Sequence, residues 1–209
     1  MKSLMWFRND LRMDDNPALR EACKSSDEVH AIYIYSQNQN KKHNEANCKT
    51  EFFIENLKVL ESKLSNINIP LNIIHSKGFK DNSEVISNYV KNNSLNKVFW
   101  NNQFGNDESE RDLSVQNHLK GKNIEFENFD EQVVFAPGSI LTGEGKPYSV
   151  FTPFKRRWIE NFNLDLLDIE FKYNKKNVTT NRSNINEFDF QFKKNNEIDN
   201  SLWPAGEGE

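Results

Sequence analysis

The sequence predicts an α/β fold: a doubly wound, five-stranded parallel sheet, Rossmann-like, in strand order 3-2-1-4-5, followed by a C-terminal connector. Three observations predict it. Short apolar runs rich in β-branched and aromatic residues recur five times up to Phe129. Neighbouring runs are separated by stretches long enough for a helix, the spacing of βαβ crossovers and so of parallel strands. Those stretches carry apolar residues at helical rather than alternating spacing.

Ser3 to Phe7 is the first strand. In the Asp14-Asp15-Asn16-Pro17 run that follows, Asn16 suits an N-cap. Pro17 suits the first helical position, where its missing N–H costs nothing, so a short helix runs from Pro17 to about Lys24. Val29 to Tyr35 is the second strand. Phe53, Leu57, Leu60 and Leu64 form the buried stripe of the clearest helix. Leu71 to His75 is the third strand, and Val85, Ile86, Tyr89 and Val90 place a helix over about Asn82 to Asn92. Lys97 to Trp100 is the fourth strand. A helix from about Glu108 to Lys120 stops at Gly121, and Ile124 to Phe129 is the fifth strand.

After Glu131 the pattern changes. Ala136-Pro137-Gly138-Ser139 and Gly143-Glu144-Gly145-Lys146-Pro147 are turn-rich, and Phe151 to Phe162 reads as a helix with aromatic anchors. Lys172 to Ser201 is polar and rich in Asn and Lys, an extended connector expected to be partly disordered when alone. The chain thus divides into a core over 1–132, a turn-rich segment and helix packing on it over 133–171, an interdomain linker over 172–201, and the opening of a further domain over 202–209.

Composition narrows the function. The 209 residues suit one domain of ordinary size plus extra chain, and 36% hydrophobic content is low for a compact globule. A net charge of -4 argues against tight DNA binding by this chain alone. Cys23 and Cys48 have no metal or redox spacing, which makes reduced thiols in the cytoplasm the default. The N-terminus has no basic region followed by an apolar run, and no stretch approaches ~18 apolar residues, so neither a secretory signal nor a membrane span is expected. His30, His43, His75 and His118 are not paired at metal spacing, and no metal is expected. Gly143 to Pro147 lacks Walker spacing, with Pro147 where a magnesium-holding Ser or Thr would stand, and no G-x-G-x-x-G follows the first strand. These absences count against nucleotide hydrolysis and ordinary dinucleotide binding.

In such a sheet, ligands sit beyond the carboxyl ends of the strands where strand order reverses. Arg8-Asn9-Asp10, the polar loop Ser36 to Lys49, and Asn101 to Glu110 fall there. Arg8, Asp10 and Arg12 read as an ion network pinning the loop, or as contacts to a ligand or neighbouring domain. Asp107 suits an N-cap with Glu110 at the third helical position, which accounts for the acidic start of that helix. The functional alternative is that the Glu108 carboxylate accepts paired N–H bonds from a heterocycle edge. His43 is either a solvated loop histidine or a ligand contact, and Lys155-Arg156-Arg157 either a solvated helix face or a phosphate site.

Four segments in order resemble the photolyase/cryptochrome family: Ser3 to Ala22 with its F-R-x-D-L-R loop, Lys97 to Asp112, Phe135 to Thr142, and Pro147 to Lys155. The resemblance is to the family's N-terminal antenna domain, nearest to its folate-type members that repair cyclobutane pyrimidine dimers. It implies a methenyltetrahydrofolate antenna that passes excitation to FAD, with a deazaflavin or flavin antenna buried deeper in the same domain as the rival. It further implies that FAD, the lesion pocket and most of the DNA-binding face belong to a helical domain for which Leu202 to Glu209 would be the opening. Damaged DNA would then be met through that domain, and no residue here would be catalytic. His43 falls on the family's folate-contacting histidine and Glu108 on its pterin-binding glutamate. Asp107 stands where the family usually has Asn, and Phe104 where it has Tyr. Trp6, Trp100, Trp158 and Trp203 are expected in core or interdomain packing. The same domain in a cryptochrome photoreceptor, or a stand-alone small-molecule binding module, are the alternative readings.

Overall fold

β1 (Lys2–Phe7) sorts its side chains by alternation. Leu4 and Trp6 enter one core cluster, while Met5 and Phe7 enter another on the opposite face of the sheet. The structure is a computed structural model that describes residues 1–164, 171–191 and 202–207, with Gln37 described by its backbone alone. β2 (Glu28–Tyr35), β3 (Leu71–His75), β4 (Lys97–Asn101) and β5 (Glu125–Phe129) complete a five-stranded sheet in the order β3-β2-β1-β4-β5. Every pairing is parallel, as the crossover spacing predicts.

Helices cover both faces. α1 (Pro17–Ser25) and α3 (Asn47–Ser65) pack with Leu19, Ala22, Leu57, Leu60 and Leu64 against one face. α4 (Asn82–Asn92) and α5 (Asn106–Gly121) bring Ile86, Val90, Val115 and Leu119 to the other. The chain therefore changes faces after β3, and the reversal of strand order lies between β1 and β4. Asn16 caps α1 as expected, its side chain accepting from the Leu19 N–H at 3.0 Å.

Several boundaries differ from expectation. The segment read as the polar loop Ser36 to Lys49 contains a short helix, α2 (Gln37–Lys42), capped by the Ser36 side chain, and the start of α3. It ends at His43, followed by Asn44 in the left-handed region at φ 50°. α5 begins at Asn106 and includes Gly121, so Gly105 and not Asp107 is its N-cap. Extended Gly105 needs no side chain to enter the helix, which leaves Asp107 at the second helical position free to point elsewhere.

α6 (Phe151–Asn161) has no buried residue. In place of a seat on the sheet, its rings meet the turn-rich segment and its own end: Trp158 on Phe135 and Phe162, and Phe154 on Tyr148. Trp6 and Trp100 are core, Trp158 is half-buried and Trp203 is 68% exposed. Residues 171–191 form neither helix nor strand and run along the domain. Ile185 is buried in the core cluster shared with α1 and α3. The Ser183 and Asn184 side chains satisfy the free edge of β3: Leu71 N–H donates to Ser183 Oγ at 3.0 Å, Ile73 N–H to Asn184 Oδ1 at 2.7 Å, and Asn184 Nδ2 to the Ile73 carbonyl at 3.0 Å. An edge strand so covered cannot pair with another chain.

Candidate functional site

At the carboxyl ends of β1, β2 and β4 a cleft opens between α2, α3 and α5, lined by residues that include Trp6, Arg8, Tyr35, His43, Phe53, Glu108 and Arg111. This is the strand-order reversal, where a doubly wound sheet leaves a crevice because neighbouring crossovers depart to opposite faces. All three predicted loops contribute to it through Arg8, Ser36 and Gln103.

The floor is cationic. Arg8 is 5% exposed, and none of its side-chain nitrogens donates a hydrogen bond among the described residues. Its guanidinium lies 4.5 Å from the Trp6 ring centre and 3.6 Å from Asp112 Oδ1. Asp112 is shared, because Arg111 binds the same oxygen through Nε at 2.9 Å and Nη2 at 2.7 Å. Arg111 also donates to Gln103 Oε1 at 2.9 Å and lies over Trp6 and Phe79. Burial lowers the Arg8 pKa to about 10, opposed by Asp112 and reinforced by Arg111.

Asp10 instead serves the structural reading. Its carboxylate accepts from the Arg8 N–H at 2.7 Å and from Asn101 Nδ2 at 2.6 Å, and Asn101 also donates to Asn16 Oδ1. Arg12 pairs with Glu131 at 2.5 Å, away from the cleft. The loop after β1 is therefore pinned by Asp10 and Arg12, while Arg8 faces the cleft.

At the mouth, Glu108 stands in the first turn of α5. Its carboxylate makes no hydrogen bond or ion pair among the described residues and lies directly against Gly105, where any Cβ would collide with it. His43 lines the same cleft from the end of α2. Its Nε2 is 2.6 Å from Gln39 Nε2 and 3.4 Å from Asp107 Oδ2. Asp107 forms a 2.7 Å ion pair with Lys42, whose hydrogen bond holds the Asp107 carboxyl below its usual range. The structure thus brings His43 and Glu108 to one cleft and turns Asp107 towards α2. Tyr35, Arg111 and Phe190 also line the cleft and were not singled out from sequence as site residues, and Phe53, read only as part of a buried helical stripe, lines it too. Phe190 gave only the signal of an isolated aromatic in a polar run; the fold carries it back to Tyr35, ring centres 5.3 Å apart.

Cys23 is buried and Cys48 half-buried, both free, and burial pushes the Cys23 thiol up to about 12. Among the described residues no three metal-ligating side chains meet, and no helix is long and apolar enough to cross a membrane.

Fold and cleft define a doubly wound α/β domain with a cleft at its switch point. The comparisons place it more narrowly. The family model for DNA photolyase matches residues 3–172, and the chain belongs to that family, as its N-terminal α/β domain. The deoxyribodipyrimidine photo-lyase of Escherichia coli is 37% identical over 158 residues, which is 75% of this chain and 33% of the relative. That of Salmonella typhimurium is 35% identical over 164 residues, 78% of this chain and 34% of the relative. Cryptochrome-1 of Arabidopsis thaliana is 24% identical over 155 residues, 74% of this chain and 22% of the relative. Among solved structures, a bacterial class III photolyase from Agrobacterium tumefaciens shares the fold at a TM-score of 0.72 and 21% identity, covering 90% of this chain and 38% of that one. An archaeal photolyase from Sulfolobus tokodaii, solved with two FAD molecules, follows at 0.68 and 21%, covering 90% and 40%. The chain spans about a third of the length of the photo-lyases it matches.

Proposed function

We propose that this domain is the antenna part of a deoxyribodipyrimidine photo-lyase and holds a light-absorbing heterocycle in the cleft between α2, α3 and α5. The observation that carries this reading is the convergence of His43 and the unpartnered Glu108 carboxylate on one cleft at the switch point. A carboxylate without a partner in a half-buried position is a ready acceptor for adjacent ring N–H groups. The first ligand is methenyltetrahydrofolate, with Glu108 taking the pterin edge and His43 beside it; its chemistry when bound would be absorption of near-ultraviolet or blue light. The cleft encloses about 120 Å³. That is below the roughly 300–1,000 Å³ of pockets that swallow a ligand, which favours one seated at the mouth.

Asp107, expected as a third contact, does not line the cleft and would act on the ligand only through His43, 3.4 Å away; its ion pair with Lys42 answers the charge that Asp adds where the family has Asn. A deazaflavin or flavin is the second reading. Arg8 favours it, because its buried donors would meet the acceptor atoms of a ring reaching the floor. The Sulfolobus tokodaii neighbour, described with two FAD molecules and the implication of a novel light-harvesting cofactor, makes a flavin a ligand to test. FAD, dimer splitting and contact with damaged DNA are assigned to the helical domain of the longer protein, and the setting to the cytoplasm. The same domain in a cryptochrome remains the rival whole-protein reading, supported by the Arabidopsis likeness.

The test is fluorescence titration of this chain with methenyltetrahydrofolate and, separately, with FMN. Folate binding weakened roughly tenfold by Glu108→Gln, the scale of one lost charge-assisted hydrogen bond, supports the first reading. FMN binding indifferent to Glu108→Gln supports the second. Absence of binding by both probes overturns the antenna reading.

A further inference from the structure

Residues 202–207 lie beyond a run outside the described residues, and they return to the domain at a site with several matched contacts. One Glu207 carboxylate oxygen accepts from two consecutive backbone N–H groups, Met13 and Asp14, at 2.6 Å each. The other oxygen pairs with Lys63 of α3. Gly206 N–H donates to Asn56 Oδ1 at 2.8 Å, about two helical turns before Lys63 on the same helix. Gly206 adopts φ 97°, and a Cβ there would stand 2.7 Å from Val59 Cγ1. Position 206 therefore requires glycine twice over, for its backbone and for its close approach. Glu207 keeps only 16% of its side chain exposed.

We propose that the Gly206-Glu207 pair is a clasp: the Met13 and Asp14 amides, Asn56, Val59 and Lys63 form an intramolecular docking surface for this dipeptide, and the clasp fixes where the chain leaves the domain. Each partner matches a feature of the dipeptide. Two converging N–H groups and an ammonium suit a carboxylate. A side-chain carbonyl suits the glycine N–H, and a valine packed at the glycine Cα excludes any larger residue.

The place of the clasp gives it a use. Asn56, Val59 and Lys63 hold it from α3, whose Phe53, Ile54 and Leu57 line the cleft. Met13 and Asp14 follow the loop that carries Arg8 to the cleft floor. A segment continuing past Glu207, as the photo-lyase relatives' greater length allows, would start from a point set by the same two elements that shape the ligand site. The clasp is thus a positioning device between the cleft and whatever follows. It does not depend on which ligand the cleft takes.

Hydrogen exchange on the 209-residue chain tests it. The readout is the exchange rate of the Met13 and Asp14 amides relative to the β1 amides. Glu207→Ala should raise that ratio roughly tenfold, and Glu207→Gln, which keeps an acceptor oxygen, should raise it less. Gly206→Ala should match Glu207→Ala without touching the carboxylate. General destabilisation moves both sets of amides together and leaves the ratio unchanged. An unchanged ratio in Glu207→Ala overturns the clasp.

Discussion

A single missing Cβ governs the mouth of the cleft. Gly105 is extended at φ -64°, a conformation any residue adopts, so its backbone does not demand glycine. A Cβ there would instead displace the Glu108 carboxylate, the far end of a flexible side chain, which fills that space. Gly105→Ala should cost only about 0.5–1 kcal/mol through the poorer cap. It should nevertheless weaken folate binding as much as Glu108→Gln in the same titration, by pushing the carboxylate out of place. At the opposite end of the sheet, His30 is 2% exposed. Its Nε2 faces Glu28 at 3.0 Å and its Nδ1 faces Tyr89 and Asn181 at 3.3 Å each. Burial holds its pKa below the ordinary 6.5, and Glu28 only partly offsets this. As pH falls, the unfolded chain therefore takes up the proton first, so this group removes stability below about pH 6.5. His30→Gln should flatten the loss of stability between about pH 7 and 5, read from urea midpoints. The contribution of Glu28, whose carboxyl is held below its usual 4.5, falls at lower pH and stays separate.

At the scale of elements, α3 shows how much one helix can carry. Its stripe of Leu57, Leu60 and Leu64 was legible because burial on one face of a helix leaves a 3.6-residue rhythm. Leu64 is fully buried, and Leu64→Ala should cost about 2–5 kcal/mol by denaturant unfolding, against almost nothing for exposed Lys58→Ala. α2 was not legible: its six residues, QNQNKK, have no apolar stripe, and only the Ser36 cap marks its start. The start of α5 was misplaced by two residues because Asp107 is a good N-cap by type, whereas the chain uses Gly105 and sends Asp107 to Lys42. The segment over 171–191 has no periodicity to read, since it contributes single residues at fixed points. Asn184 is one of these, and Asn184→Ala should cost about 1–3 kcal/mol and expose the Ile73 amide to exchange.

For the whole molecule, two core clusters share one sheet, so strands and both helical layers should unfold together. Far-ultraviolet dichroism and the fluorescence of buried Trp6 and Trp100 should give coincident urea transitions, while α6, with no buried residue, should exchange its amides well before β1 does. The sequence by itself determined the layered parallel sheet and its strand order, because apolar runs and helical spacing repeat over many residues and outweigh local exceptions, and it pointed to the family through the resemblance of four motifs in order. It also marked His43 and Glu108 as residues to watch. Only the tertiary structure decided that they share one cleft, that Arg8 faces its floor while Asp10 ties down the loop, and that Phe190 and Glu207 return to the domain. Those are contacts between residues far apart in the chain, made by single side chains, and a pattern needs repetition to be read.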